Sequence, residues 1–262
     1  MSELGASIAA SAFRADLTGC TALVTGASRG VGARLAFTLA MAGAAVGLTG
    51  RDEKDLRSVE EEVRAHGGRA SSFPHDLEQF DRIGSLFDRV ESVLGHVSIL
   101  VNNAGTSVAG RAVERSVDDF DRIFDTNVKA SFALACEMAR RLMARGESGS
   151  VINIASINGE HPRVGLALYC MSKASLIMMT KVLAREWARH GINVNAILPG
   201  ALLTDMTRPI FETEDGRQEI AGMRRRRLME PRDLDGVLLL LAAKESRAIT
   251  GATIVVDDAQ MP

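Results

Sequence analysis

The chain is expected to fold as one doubly wound α/β domain, a parallel sheet of about seven strands with helices on both faces. Three observations lead there. Short apolar runs alternate with longer helix-prone segments from residue 21 to residue 256. The runs are apolar throughout rather than every second residue, as suits strands covered on both faces. With 262 residues, 46% of them hydrophobic, the chain can bury one large core.

The elements follow in order. Residues 1–17 are rich in Ala and Ser, show no strand period and read as an N-terminal extension to a domain of residues 18–262. Thr21 to Thr25 is the first strand and Ala33 to Ala42 the first helix. Ala45 to Thr49 is a strand, and Asp52 to His66 a charged amphipathic helix. Arg69 to Phe73 is a weaker strand, followed by a helix from Leu77 to Leu94. Val97 to Val101 and Val151 to Ala155 are strands on either side of a long helix, Ser116 to Ala144. Leu166 to His190 is a helix, Ile192 to Leu198 a strand, Asp233 to Ala243 a helix and Thr253 to Val256 the last strand. Right-handed crossovers between such strands give the doubly wound arrangement. One connection is too long to be a simple loop. Residues 201–230 are polar, charged and interrupted by Pro209 and Gly216, as expected of a lid over a substrate.

Composition narrows the function. A net charge of −2 gives no general attraction to nucleic acid or to an anionic membrane. The longest apolar run, Val237 to Ala243, is too short to span a bilayer, and the start Met1-Ser2-Glu3 lacks a signal peptide's basic region. A soluble cytoplasmic protein is expected. The 3 cysteines, Cys20, Cys136 and Cys170, are scattered, which speaks against disulfide scaffolding and a zinc cluster; no metal is expected.

Tyr169 is the only tyrosine, and Lys173 follows it by four positions, one helical turn along the same face. A free phenol titrates near pH ~10 and is a weak base at neutrality. A neighbouring ammonium favours the phenolate and is expected to lower that value, making the pair a candidate for proton transfer. Alone, the spacing also fits a packed Tyr beside a solvated Lys.

The first strand runs into Thr25-Gly26-Ala27-Ser28-Arg29-Gly30-Val31-Gly32 and then a helix. Glycines let the backbone approach a pyrophosphate, and the helix start offers N–H donors and positive potential. The strand–turn–helix context that this mechanism requires is present. The spacing is Gly-x-x-x-Gly-x-Gly rather than Gly-x-Gly-x-x-Gly.

With Tyr169-x-x-x-Lys173, that spacing makes the chain resemble the short-chain dehydrogenase/reductase family, from about Leu17 to Asp257. The other motifs come in the family's order: Asn102-Asn103-Ala104-Gly105 after the fourth strand, Asn127 within Asp125-Thr126-Asn127-Val128, Ser156 at the end of the fifth strand, Pro199-Gly200 after the sixth, and then Thr204. The resemblance implies a Rossmann-like fold and an NAD(P)-dependent oxidoreductase that interconverts a secondary alcohol and a ketone. It implies a tetrad of Asn127, Ser156, Tyr169 and Lys173. Tyr169 carries the proton, Lys173 lowers its pKa and bonds the nicotinamide ribose, Ser156 donates to the reacting oxygen, and Asn127 holds a water in a proton relay. Cofactor contacts are expected from Gly26, Ser28, Arg29, Gly30, Val31, Gly32, Arg51, Asp76, Leu77, Asn103, Ala104, Gly105, Tyr169, Lys173, Pro199, Gly200 and Thr204.

The end of the second strand selects the cofactor. An acidic residue there binds the 2′-hydroxyl of NAD; here Gly50 and Arg51 stand in its place, with Arg29 nearby. Two guanidinium groups suit the 2′-phosphate of NADP, which is expected as the preferred cofactor, NAD being the alternative; Asp52 could take the acidic role instead.

Substrate contacts are expected from Ser156, Asn158, His161 and Tyr169. The polar run Asn158-Gly159-Glu160-His161 hints at a sugar acid or polyol, although the same residues suit a solvent-facing loop; a small ketone also fits the reaction. Arg224 to Arg227 is either a solvated charge run or an anion site, and the latter would suit a 3-oxoacyl-(acyl-carrier-protein) reductase. A non-catalytic cofactor-binding regulator is a further alternative, though a sensor has no need of the tetrad. The chain departs from the family at its last strand. Relatives commonly read Val-Asp-Gly-Gly, and this chain reads Val256-Asp257-Asp258-Ala259. A homotetramer or homodimer is expected.

Overall fold

A computed structural model describes residues 15–204 and 207–261. Seven parallel strands lie in the order β3-β2-β1-β4-β5-β6-β7. They are β1 (Thr21–Thr25), β2 (Ala45–Gly50), β3 (Arg69–Pro74), β4 (Val97–Asn102), β5 (Gly149–Ile154), β6 (Ile192–Pro199) and β7 (Thr253–Val256). The order reverses between β1 and β4. A crevice opens there at the carboxyl ends of the strands, the usual ligand position in such sheets.

Alternate residues of each strand feed two cores. Ala22, Val24, Ile99 and Val101 face α1 (Gly30–Met41) and α2 (Glu53–Ala65), while Leu23 and Leu100 face α3 (Ile83–Leu94). Helix α2 starts because the Asp52 carboxylate accepts from the Asp55 N–H at 3.0 Å. It docks through Leu56, Val59 and Val63, spaced three and four residues apart.

The strand positions agree with expectation to within two residues, but three helical regions differ. The segment expected as one helix from Leu77 contains a 3₁₀ turn, Phe80–Arg82, before α3; Leu77 itself is buried ahead of it. The long helix expected from Ser116 to Ala144 is broken into α4 (Val117–Phe124), a π turn (Asp125–Lys129) and α5 (Ala130–Arg145). Residues 201–230 are not wholly irregular, for they hold α7 (Arg208–Phe211) and α8 (Glu214–Gly222).

Helix α6 (Ala167–Trp187) carries the Tyr–Lys pair, and α9 (Asp235–Ala242) precedes β7. Residues Ala167–His190 form one stretch long and apolar enough to cross a bilayer, although no unbroken apolar run marks it in the sequence. Here Leu176, Leu183 and Trp187 of that stretch pack against the sheet. Residues 1–14 of the expected extension lie outside the described residues. Leu17, its last residue, is fully buried and its N–H donates to the Ala42 carbonyl, so packing begins before residue 18.

Candidate active site

The glycine turn is shaped by close approach. A Cβ at Gly32 would lie 2.1 Å from the Gly26 carbonyl oxygen, a contact no side chain tolerates. Gly26 and Gly30 have φ of +62° and +57°, the left-handed region that favours glycine. Arg29, extended and exposed, leads into α1. The turn is tied to the end of β4 by Thr25. Its hydroxyl accepts from the Asn103 and Ala104 N–H groups, both at 3.0 Å, and Asn103 Nδ2 donates to the Thr25 carbonyl at 2.9 Å. Sequence reasoning missed this role of Thr25, whose sign was a polar residue closing an apolar strand.

At the end of β2, a Cβ on Gly50 would lie 3.9 Å from Ser28 Oγ, which puts that strand end beside the glycine turn. Arg51 is exposed. Asp52 is engaged as the α2 cap. Arg51 also lines a cavity of about 510 Å³ with His75, Asp76, Arg82 and Arg89. No acidic side chain among the described residues forms an ion pair with any of these three arginines. Burial and the nearby Arg89 hold the His75 imidazole below its ordinary pKa. Arg82 and Arg89 lie on elements far from the glycine turn in sequence, and no motif marks them.

Asn127 is fully buried inside the π turn, where the Ala130 N–H donates back five residues to the Asp125 carbonyl. The Asn127 side chain uses both its donors and one of its two acceptor lone pairs on protein partners. Oδ1 accepts from the Thr106 N–H at 2.7 Å; Nδ2 donates to the Thr106 carbonyl at 3.0 Å and to Ser172 Oγ at 2.9 Å. Thr106 and Ser172 are therefore site-supporting residues that sequence reasoning did not name. Ser172 in turn donates to the Tyr169 carbonyl at 2.7 Å, so Asn127 holds the turn of α6 that carries Tyr169 and Lys173.

Ser156 is buried at the end of β5, and its hydroxyl oxygen accepts from the Asn158 N–H at 3.1 Å. Asn158 thus reaches the site through its backbone, whereas His161 is exposed. Lys173 is buried and donates to the Ile154 carbonyl at 2.8 Å; its nitrogen lies 5.6 Å from the centre of the Tyr169 ring. A Cβ on Gly105 would lie 3.3 Å from Asn127 Oδ1 and 3.6 Å from Lys173 Nζ, so the Asn-Ala-Gly turn adjoins both. The tetrad therefore stands at the carboxyl ends of β4 and β5, beside the glycine turn on β1.

One electrostatic expectation is reversed. Burial pushes the Tyr169 phenol above its ordinary value, and its hydrogen bond with Ser156 pulls it only partly back. Lys173 yields instead: burial lowers its ammonium to about 8. With Lys173 turned to Ile154 and its own charge disfavoured, it does not hold the phenol down.

Thr204 closes the crevice from the far side, within 3.9 Å of a Cβ on Gly30. Its N–H donates to Thr207 Oγ1 at 2.9 Å. Pro199 ends β6, and the Gly200 N–H donates to the Val256 carbonyl at 2.9 Å. The half-buried Arg163, between Ser156 and Tyr169, reaches across to α8 in a two-pronged ion pair with Glu219, at 2.9 and 2.8 Å.

Such a sheet, with a glycine turn and a Ser–Tyr–Lys cluster at its switch point, defines a class of nucleotide-dependent oxidoreductases. The sequence profile of the short chain dehydrogenase family matches residues 20–215, and the chain belongs to that family. It is 37% identical over 247 residues to the 2-dehydro-3-deoxy-D-gluconate 5-dehydrogenase of Escherichia coli K12, covering 92% of this chain and 95% of the relative. It is 34% identical to a 3-oxoacyl-(acyl-carrier-protein) reductase of Staphylococcus epidermidis, over 90% of this chain and 97% of the relative. A solved Agrobacterium tumefaciens structure, given as a 2-deoxy-D-gluconate 3-dehydrogenase with bound NADP, superimposes with a TM-score of 0.88. The identity there is 32%, covering 95% of this chain and 99% of that one.

Proposed function

We propose that this oxidoreductase interconverts a secondary alcohol and a ketone on a sugar acid, prefers NADP, and uses Tyr169 as its proton carrier. The observation that carries the reading is the meeting of the glycine turn with Ser156, Tyr169 and Lys173 at the carboxyl ends of β1, β4 and β5.

The cradle fits a dinucleotide. Positive φ at Gly26 and Gly30 and the close packing of Gly32 on the Gly26 carbonyl fix the turn at the start of α1, whose first N–H groups would meet a pyrophosphate. Gly26, Ser28, Arg29, Gly30, Val31 and Gly32 would hold it from one side, and Pro199, Gly200 and Thr204 from the other. Asp76 and Leu77 would meet the adenine; Asn103, Ala104, Gly105, Tyr169 and Lys173 would meet the nicotinamide half. Once bound, the cofactor supplies or accepts the hydride.

The chain's own groups handle the proton. Because the Asn158 N–H occupies one lone pair of Ser156 Oγ, the serine's own proton is left to donate to the reacting oxygen. A phenol kept neutral by burial is ready to donate during reduction. Lys173, softened to about 8, can exchange its proton near neutrality. Asn127 keeps one Oδ1 lone pair and one lone pair of its carbonyl, which already accepts from Ser131 Oγ at 3.0 Å, through which a relay water would be held.

NADP preference is supported by the absence of a free carboxylate at the end of β2, where Asp52 is engaged as a cap. Arg51, Arg82 and Arg89 add three cations around one cavity there, and the relative with bound NADP agrees. The sugar-acid substrate is supported by the gluconate relatives and the polar loop after Ser156. The acyl-carrier reading has the exposed run Arg224 to Arg227 in its favour, but Arg225 and Arg227 are partly neutralised by Asp258. Residues 201–230 act as the substrate lid, linked to the loop between Ser156 and Tyr169 by Arg163 and Glu219. Helices α5 and α6 cover the same face of the sheet and leave Phe132, Met171, Met178 and Val182 exposed, which supports a homo-oligomer. The packing of the long apolar helix onto the sheet supports a soluble cytoplasmic enzyme.

A panel of gluconates, deoxy-gluconates, small ketones and acyl thioesters, assayed with NADPH and NADH, tests the reading. Turnover confined to acyl thioesters, or tighter binding of NADH, would overturn it.

A further inference from the structure

Two sequence features find no use in the reaction: the basic run Arg224 to Arg227, and the replacement of the expected Gly-Gly after the last strand by Asp258-Ala259. The structure brings them together. Arg225 Nη1 lies 3.1 Å from Asp258 Oδ1, and Arg227 Nε lies 2.8 Å from Asp258 Oδ2. Arg227 also reaches Asp233, at 3.2 Å. The Asp258 side chain is only 9% exposed, whereas those of Arg225 and Arg227 are 69% and 44% exposed. A carboxylate so buried is stable only if its charge is matched, and two guanidinium groups match it.

Asp258 and Ala259 adopt φ of +54° and +56°, and Arg226, between the two paired arginines, +51°. Side chains with a Cβ enter this region at a cost, so the surroundings must hold them there. The same turn grips the other end of the lid. Gln260 Oε1 accepts from the Ala201 N–H, and Gln260 Nε2 donates to the Ala201 carbonyl at 3.2 Å. The Asp257 carboxylate holds the turn itself by accepting from the Ala259 and Met261 N–H groups, both at 3.0 Å. The two lid ends also meet directly, since the Leu203 N–H donates to the Met229 carbonyl at 2.7 Å and the Met229 N–H donates to the Ala201 carbonyl at 3.0 Å.

We infer that the turn Asp257–Gln260 is a latch for the lid, in which Asp258 and Gln260 are positioning residues that set how tightly the substrate is held. The turn fastens the lid where the chain leaves β6 and again where it returns toward α9. The part between, α7 and α8, is tied down further by the Arg163–Glu219 ion pair. Loosening the latch frees the segment that covers the substrate while leaving the glycine turn and the tetrad untouched. The substrate consequence rests on the lid and reaction proposed above; the fastening itself does not.

The test uses the full chain with Asp258→Gly and Asp258→Asn. Glycine suits the left-handed backbone, so Asp258→Gly removes the carboxylate and relieves strain together. Asn also tolerates that conformation and keeps the side-chain size. Amide hydrogen exchange is read at residues 201–204 and 207–229 in the cofactor-free protein, and KM for substrate and for NADPH is read separately. The expected result is exchange about tenfold faster in this segment alone in both variants, the scale of a lost ion-pair contact. Substrate KM rises about fivefold, and NADPH KM stays within about twofold. Melting of Asp258→Gly at or above the parent temperature would exclude a general loss of stability. Unchanged exchange in both variants overturns the latch. Faster exchange with an unchanged substrate KM overturns its positioning role. If the parent protein turns over none of the panel, the reaction assignment fails, and the exchange arm still decides the fastening.

Discussion

The half around the glycine turn and the half around the segment after β6 are built by different physics. Around β1, β2 and β4, geometry is set by backbone contact: a glycine turn in which a Cβ at Gly32 would meet the Gly26 carbonyl oxygen at 2.1 Å, and a threonine whose hydroxyl accepts from two main-chain amides. Around β6 and β7 the segment between the two strands is held by charge, through Arg163–Glu219 and the arginines on Asp258. Close-packed backbone tolerates almost no change, while a half-buried pair such as Arg163–Glu219 contributes little and is screened by salt, the buried Asp258 carboxylate less so. The first half therefore suits an invariant ligand and the second a variable one.

Four substitutions probe that contrast, beginning with the largest effect. Tyr169→Phe, at the seam between the halves, is expected to lower turnover by about 10³-fold or more while leaving NADPH affinity within about twofold. Steady-state rates with a fluorescence titration check this, and brisk turnover would remove Tyr169 from the chemistry. Next comes Gly50→Asp, which puts a carboxylate beside Ser28 and is expected to shift the NADPH-to-NADH ratio of kcat/KM toward NADH by about 10- to 100-fold. An unchanged ratio would place the 2′-phosphate elsewhere.

Lys173→Met tests a stability effect. At pH 7 the folded protein holds a buried ammonium whose pKa has fallen from 10.5 to about 8. Between pH 8 and 10.5 the unfolded chain binds the proton and the folded one has released it, so stability rises with pH across that window. Removing the charge should stabilise the fold at pH 7 by about 1–3 kcal/mol while abolishing activity, and the gain should shrink above pH 9. Thermal melts from pH 6 to 10 decide it; a destabilised variant at pH 7 would mean that the bond to Ile154 outweighs the burial. Smallest is Glu219→Gln, which should cost less than about 1 kcal/mol in stability and raise substrate KM a few-fold. Added salt should reproduce that rise in the parent enzyme and have less effect on the variant.

What the sequence made legible follows the same division. The strands and the glycine turn could be found because each rests on local chemistry, apolar runs and residues tolerant of positive φ, and the nearness of Tyr169 and Lys173 follows from a four-residue helical spacing. What escaped reading depends on partners distant in the chain. Thr106 and Ser172 matter only because Asn127 lies between them. Arg82 and Arg89 matter only because β2 and β3 end side by side. The fall in the Lys173 pKa was hidden because neighbours in sequence reveal charge but not burial. Asp258 looked like a departure from a motif until its partners, some thirty residues earlier, came into view.

The π turn at Asp125–Lys129 gives this enzyme a kind of phase. Each residue of an α-helix advances about 100° around the axis, and the turn holds one residue more than an unbroken helix would accommodate. Deleting a residue there would leave every motif legible and let α4 and α5 join as one smooth rod. It would close the bulge to an ordinary turn with α4 and α5 still in phase, and it would change which side chain of that turn faces Thr106 and Ser172. The site is thus written partly as a count, and a chain one residue shorter could keep all four tetrad residues and still lose the place where they meet.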